Sequence, residues 1–270
     1  MRKDYIPVVD AAAAADETKF VEGYWTDVWR NNDGPPDLSK LARRDEYRIM
    51  RPFLDRLPQG RRVLDAGCGL GEWTVFLAQQ GFDIVGLDLS AEVVGKLKER
   101  FPANEFTCGD IRQTGFEAES FDACFSWGAF EHFENGLGDC LTEAHRILRP
   151  GGWLFISVPF QNWRHILRDA RPLERWDPGF DPKDGYRQTH RFYQWRLTRR
   201  ELQRELELRG FRTERVTPIS KLGGVGRWLQ WDFRVVRPNT RAYFLARRAC
   251  AAVMPAAYIS HMIMAVGQRR

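Results

Sequence analysis

Cysteine is scarce, with five in 270 residues at positions 68, 108, 124, 140 and 250. None forms a Cys-x-x-Cys pair and no histidine stands at zinc-finger spacing, which excludes a recognisable zinc or disulfide framework. An odd, dispersed set suits free thiols in a reducing compartment. Internal repeats and low-complexity tracts are missing. With 43% hydrophobic and 29% charged residues, the chain is neither mainly disordered nor collagen-like. No apolar segment follows Met1-Arg2-Lys3-Asp4, and Asp16 and Glu17 cut short the alanines at 11–15, so no secretory leader is expected. One uncharged stretch, residues 249–267 between Arg247-Arg248 and Arg269-Arg270, approaches the length of a membrane span. Pro255, Ser260 and His261 interrupt it, and it reads as a helix end, a turn and a buried strand. A cytoplasmic protein is expected, with contact at the inner face of a membrane left open.

What the chain does have is a division of charge. Residues 1–160 carry 18 Lys/Arg against 26 Asp/Glu, a balance of −8. Residues 161–270 carry 23 against 10, a balance of +13. The second part therefore suggests a surface for an anionic partner: nucleic acid, membrane or substrate.

Residues 1–60 read as a polar N-terminal arm with Tyr24, Trp25 and Trp29, broken at Gly34-Pro35-Pro36, then a helix over 38–57 ended by Pro58-Gln59-Gly60. From 61 to 159 strands alternate with helices: strands at 62–66, 83–87, 105–108, 121–126 and 153–158, helices at 72–80, 91–100 and 137–148. This rhythm predicts a doubly wound parallel sheet covered on both faces. Residues 160–197, rich in Trp and Arg, read as a lid insertion. Residues 198–270 complete the sheet: a helix from Thr198 with Glu201 as capping box, a strand at 211–217, a basic insertion over 218–248 and a last strand at 259–266. The whole reads as a single domain.

The most informative stretch is Val63-Leu64-Asp65-Ala66-Gly67-Cys68-Gly69-Leu70-Gly71. A strand ends at Asp65, and alternating glycines permit positive φ and close ligand approach. The dinucleotide pattern Gly-x-Gly-x-x-Gly fails because Glu72 occupies its sixth position and would repel a pyrophosphate at a helix N-terminus. Asp88 ends the next strand, where a carboxylate can accept from both hydroxyls of a ribose. Asp110 follows the third strand, suited to an exocyclic amine, with Ile111 beside the ring.

This constellation resembles the class I S-adenosylmethionine-dependent methyltransferases. The likeness includes Phe121-Asp122, Ala129-Phe130-Glu131-His132 and Arg146-Ile147-Leu148-Arg149-Pro150-Gly151-Gly152. It implies an α/β fold with a seven-stranded sheet, mostly parallel with an antiparallel last strand, plus lid insertions. It further implies S-adenosylmethionine as cofactor and S-adenosylhomocysteine as product. Gly67, Gly69 and Gly71 would line the methionine part, supported by Asp65. Asp88 and Leu89 would hold the ribose, Asp110 and Ile111 the adenine, and Trp127 would sit near the sulfonium.

The reaction so implied is in-line displacement onto a small-molecule or lipid-linked acceptor, expected to be anionic and to offer a hydroxyl. His132 is the candidate base, with structural histidine the competing role. His165 and His190 are weaker candidates. No metal cluster is legible. The absence of the Asn-Pro-Pro-Tyr type segment that resembling amino-group methyltransferases carry after the fourth strand disfavours a DNA-base or glutamine acceptor. A nucleic-acid methyltransferase and a non-catalytic S-adenosylmethionine-binding module are the alternatives. Aromatics and arginines in 163–195 suit an anionic, partly apolar molecule, or stacking on single-stranded nucleic acid. Those in 227–248, including Trp228, Trp231, Phe233 and Phe244, suit an anionic membrane. Acceptor identity and oligomeric state are not legible.

Overall fold

The computed structural model describes residues 1–8, 16–32, 34, 37–57, 60–169, 180–181, 185–186, 190–233 and 240–270. Pro35, Pro36, Pro58, Gln59, Arg171, Arg175, Trp176, Arg187, Arg234 and Arg237, which the sequence reading used, lie outside the described residues.

In chain order the strands are β1 (Arg2–Pro7), β2 (Arg62–Ala66), β3 (Asp83–Asp88), β4 (Glu105–Cys108), β5 (Phe121–Trp127), β6 (Leu148–Pro159), β7 (Phe180–Asp181), β8 (Gly185–Tyr186), β9 (His190–Arg196), β10 (Phe211–Ile219) and β11 (Met262–Arg269). The helices are α1 (Glu17–Arg30), α2 (Asp45–Leu54), α3 (Glu72–Gln79), α4 (Ala91–Arg100), α5 (Gly138–Ile147), α6 (Trp163–Asp169), α7 (Arg199–Leu208), α8 (Lys221–Trp228), α9 (Arg241–Val253) and α10 (Ala256–Ile259).

Seven strands form one sheet in the order β10-β11-β6-β5-β2-β3-β4. Only β11 runs antiparallel to its neighbours, β6 and β10. The last strand in the chain is thus the antiparallel one, as the resemblance implies, although it lies inside the sheet. It begins at Met262, later than the expected 259, because α10 follows Pro255 and takes up residues 256–259.

Strand periodicity divides the core between two faces. Leu64, Cys124, Leu154 and Ile156 point to one face, where α5 supplies Leu141 and Ile147 and α7 supplies Leu202 and Leu206. Val63, Ala123, Phe125 and Phe155 point to the other, against Met50 and Leu54 of α2 and Trp73 and Leu77 of α3. Strands buried on both faces read as continuous apolar runs, which is why the central ones are legible in the sequence.

Thr198 caps α7 in a capping box with Glu201, each side chain bonding the other's backbone. Thr198→Ala is expected to cost about 1 kcal/mol, read as a lowered thermal midpoint; an unchanged midpoint would show that the cap contributes nothing.

Elsewhere the structure departs from the sequence reading. The single helix expected over 38–57 is a 3₁₀ turn (Leu38–Arg43) followed by α2. Between them Arg44 is extended, and its guanidinium bonds Glu72 at 2.7 Å and lies over the Trp73 ring. The polar arm contains β1, paired antiparallel with β9, and the full helix α1. β6 already begins at Leu148, so residues 149–152 belong to a strand.

Candidate active site

The turn after β2 is built on glycine conformations. Gly67, Gly69 and Gly71 have φ of +85°, +51° and +72°. Space is as restrictive as conformation: a Cβ on Gly67 would come within 2.7 Å of the Ala129 Cβ, and one on Gly69 within 2.9 Å of Trp29. The Gly67 and Cys68 N–H groups both donate to the Leu87 carbonyl, at 2.8 and 2.9 Å, which fastens the turn to the end of β3. Asp65 lies buried beneath the turn and accepts from Thr74 Oγ1 at 2.8 Å. Burial, with Asp88 nearby adding repulsion, pushes its pKa up to about 7.

Asp88 braces two loops. Its Oδ2 accepts from the Gly69 N–H at 2.8 Å and its Oδ1 from the Ser90 N–H at 3.0 Å. Burial raises its pKa against these hydrogen bonds. Asp110 is gripped by Arg112, whose Nη2 donates to Oδ2 at 2.7 Å and whose Nε reaches both oxygens at 3.1 Å. The same guanidinium bonds Glu17 and Thr18 at the start of α1.

α1 roofs the site. Thr26 donates to Ser90 Oγ at 2.7 Å, and Arg30 pairs with Glu92 of α4 at 2.6 Å. So anchored, α1 presents Trp25 and Trp29, four apart on one helical face, stacked at 5.3 Å and 27°. Beneath them lies a partly enclosed cleft, the kind of concave site that small molecules occupy. Gly67, Asp88, Leu89, Asp110, Ile111, Trp127 and His132 all line it, together with Glu22, Trp25, Trp29 and Phe133. Asp65, Gly69 and Gly71 are not among its lining residues. Asp65 is buried, Gly69 lies against Trp29, and Gly71 packs on Leu97 and Phe106. Of the arm's aromatics, Tyr24 turns instead to Tyr193, with ring centroids 5.2 Å apart.

His132 is buried, with Nδ1 2.7 Å from the Tyr193 carbonyl and its ring 4.9 Å from Trp25. Nδ1 therefore carries the proton and donates it, leaving Nε2 with a lone pair. Burial pulls its pKa down to about 4. Of the other candidates, His165 donates from Nδ1 to the Phe160 carbonyl, 3.1 Å away, and neither it nor His190 lines the cleft.

Sequence reasoning missed three participants. Arg112 gave no signal beyond standing two residues after Asp110, a spacing common in turns. Glu22 gave none. Glu131 stood only within a quoted motif, yet it is 1% exposed and burial pushes its pKa up to about 8. Its Oε2 and the neighbouring Trp127 Nε1 have no hydrogen-bond partner among the described residues.

Comparison with known proteins agrees with this geometry. The chain is 36% identical over 117 residues to the malonyl-[acyl-carrier protein] O-methyltransferase of Erwinia billingiae, covering 43% of this chain and 46% of that one. It is 29% identical over 191 residues to the 2-methyl-6-phytyl-1,4-hydroquinone methyltransferase of Synechocystis, covering 63% and 59%. The matches thus span about half the length of these curated relatives. In fold it is similar to a geranyl diphosphate methyltransferase solved in complex with GPP and sinefungin, with TM-score 0.55 and 18% identity over 83% of this chain and 77% of that one. The sequence profile of a methyltransferase domain matches residues 41–216, well over half the chain. With its glycine turn, its strand-end acids and this sheet order, the chain belongs to the class I S-adenosylmethionine-dependent methyltransferase family.

Proposed function

We propose that this chain transfers the methyl group of S-adenosylmethionine to a hydroxyl of a small or lipid-linked acceptor. The observation that carries the reading is the convergence of Asp88, Asp110 and Gly67 on one cleft roofed by Trp25 and Trp29. The residues fit the cofactor. Gly67 lines the cleft, so a ligand can approach the backbone there without a side chain between them, and each carboxylate keeps acceptor capacity beyond its protein partners. When bound, the sulfonium supplies an activated methyl group. Asp88 would then hold the ribose and Asp110, with Ile111, the adenine. Trp25 and Trp29 exclude water and offer ring faces to the cation. Trp127, whose Nε1 has no hydrogen-bond partner among the described residues, lines the same cleft and is proposed to face the acceptor.

The chain's own task is mainly to align the acceptor oxygen with the sulfur–methyl bond. His132 is the group proposed to take the acceptor's proton, since its Nε2 is unprotonated at neutral pH. With a pKa near 4 it is a weak base, so it helps an acidic hydroxyl such as a phenol more than an alkyl one. The curated relatives are named for a malonyl group on acyl-carrier protein and for a phytylated hydroquinone, one carrier-linked and one lipid-linked acceptor.

Label transfer tests the reading: the protein is incubated with methyl-labelled S-adenosylmethionine and either a prenylated hydroquinone or malonyl-[acyl-carrier protein]. Label is expected on a hydroxyl oxygen of the hydroquinone; label only in the malonyl carboxylate would overturn the hydroxyl reading, and transfer to neither, with intact cofactor binding, would remove this acceptor class. Cofactor titration should also change tryptophan fluorescence, and the change should shrink in Trp29→Phe; an identical signal in the variant would remove Trp29 from the cofactor's roof.

A further inference from the structure

The segments that the cofactor does not use are concentrated on one edge of the sheet. β6 and β10 run parallel to β5, β2 and β3, so all five strands end at the edge that carries the cleft. α6 follows directly on β6, while α8, α9 and α10 fill the connection from β10 to β11. α10 packs against both α6 and α8, and α8 against α9. Arg164 of α6 pairs with Asp232, just after α8. These helices form a cap at that edge of the sheet.

This cap is buried on its inner side and apolar on its outer side. Inside, Tyr243 of α9 packs with Val225, Leu229 and Ile259. Outside, α9 exposes Phe244, Leu245 at 70% and Val253 at 81%, and α6 exposes Trp163 at 59% and Leu167 at 60%. Side chains of this size are ordinarily withdrawn from water, and several together mark a docking surface. The charge on α9 is of one sign: Arg241, Arg247 and Arg248 with no acid between residues 241 and 253. Arg241 and Arg248 are exposed on the same outward face as Phe244 and Leu245. Arg247 is tied inward to the Leu222 carbonyl at 3.0 Å.

Large apolar side chains interleaved with arginines, on a helix without acids, complement the interface of an anionic bilayer. At thirteen residues α9 is about 20 Å long, and no helix among the described residues is long and apolar enough to cross a membrane. It would therefore lie along the surface. The geometry points to α9, assisted by Trp163 and Leu167 of α6, as a face that seats this protein on an anionic lipid bilayer, with the acceptor edge of the cleft turned toward the lipid. A lipid-linked acceptor could then enter the cleft head-first from the membrane. That use rests on the acceptor reading above; the docking itself does not, because it requires neither cofactor nor acceptor.

Vesicle sedimentation of the full chain separates the two. The wild-type protein is expected to partition at least about fivefold more strongly to phosphatidylcholine vesicles containing phosphatidylglycerol than to phosphatidylcholine alone. The partitioning should weaken as salt is raised. Leu245→Glu combined with Phe244→Glu should abolish it, and Arg241→Ala and Arg248→Ala should each lower it about fivefold. All of these variants should keep wild-type cofactor affinity by calorimetry, which also shows them folded. The inference is overturned by a wild-type protein that stays in the supernatant with anionic vesicles, or by variants that bind as the wild type does. It is equally overturned by a wild-type dimer in sedimentation velocity that Leu245→Glu dissolves, since the face would then be a self-contact.

Discussion

Replacing Asp88 by alanine is expected to weaken S-adenosylmethionine binding between about fivefold and about 150-fold, the range for one lost charged hydrogen bond. The upper end is favoured by the structure of the unliganded loop. Asp88 accepts from Gly69 on one oxygen and Ser90 on the other, so alanine deprives two buried backbone donors of their acceptor and frees the glycine turn as well as removing the group proposed to hold the ribose. A fall in thermal stability of about 2 kcal/mol or more should accompany the loss of affinity. Asp88→Asn, which keeps one acceptor oxygen, should recover part of the stability and less of the affinity. Calorimetry and thermal unfolding on the two variants read both effects. Wild-type affinity in Asp88→Ala would remove the ribose role from this residue.

The second large effect concerns the pH dependence of folding. Glu131 is held near pKa 8 by burial, against an ordinary 4.5 in the unfolded chain, and Asp65 near 7 against 3.8. Between the two values of each group the folded state keeps a proton that the unfolded state has released. Stability therefore falls as pH rises, from about 4 to about 8, and the full penalty is reached above the folded values. At about 1.4 kcal/mol per pKa unit, Glu131 alone accounts for several kcal/mol. Glu131→Gln is neutral throughout, so at pH 8.5 it is expected to be more stable than the wild type by about 3 kcal/mol or more, and near pH 5 to differ little. The histidines act at the other end. Burial lowers His132 and His261 to about 4 and His165 to about 3, so the stability that comes from keeping them neutral is present above about 6.5 and is lost on acidification. Thermal midpoints of both proteins from pH 5 to 9 test this. Parallel curves would show that Glu131 is ionised throughout or hydrated.

The parts of the site legible in the sequence are those made by short-range chemistry. The glycine turn, Asp88, Asp110 and Ile111 each follow a strand end within a few residues, and the sheet brings successive strand ends together without further information. The antiparallel final strand was legible through the family resemblance, offset by three residues because α10 was not foreseen. What was not legible depends on contacts distant in the chain. β1, at residues 2–7, pairs with β9, at residues 190–196, and nothing in Arg2–Pro7 marks it as a strand with a partner. Trp25 and Trp29 are visible as a helical pair, but that they roof the cleft depends on Thr26 meeting Ser90 and Arg30 meeting Glu92. Glu131 looks like a surface acid beside a histidine; its burial is set by the elements that close around it.

The central claim is that this cleft binds S-adenosylmethionine through Asp88 and Asp110 beneath the two tryptophans. Isothermal titration of S-adenosylmethionine into the full chain, beside NADH and the Asp88→Ala variant, tests it most directly. The expected result is saturable binding of S-adenosylmethionine at one site per chain, none of NADH, and weakened binding in the variant. Absence of heat with S-adenosylmethionine, or equal binding of NADH, would contradict it.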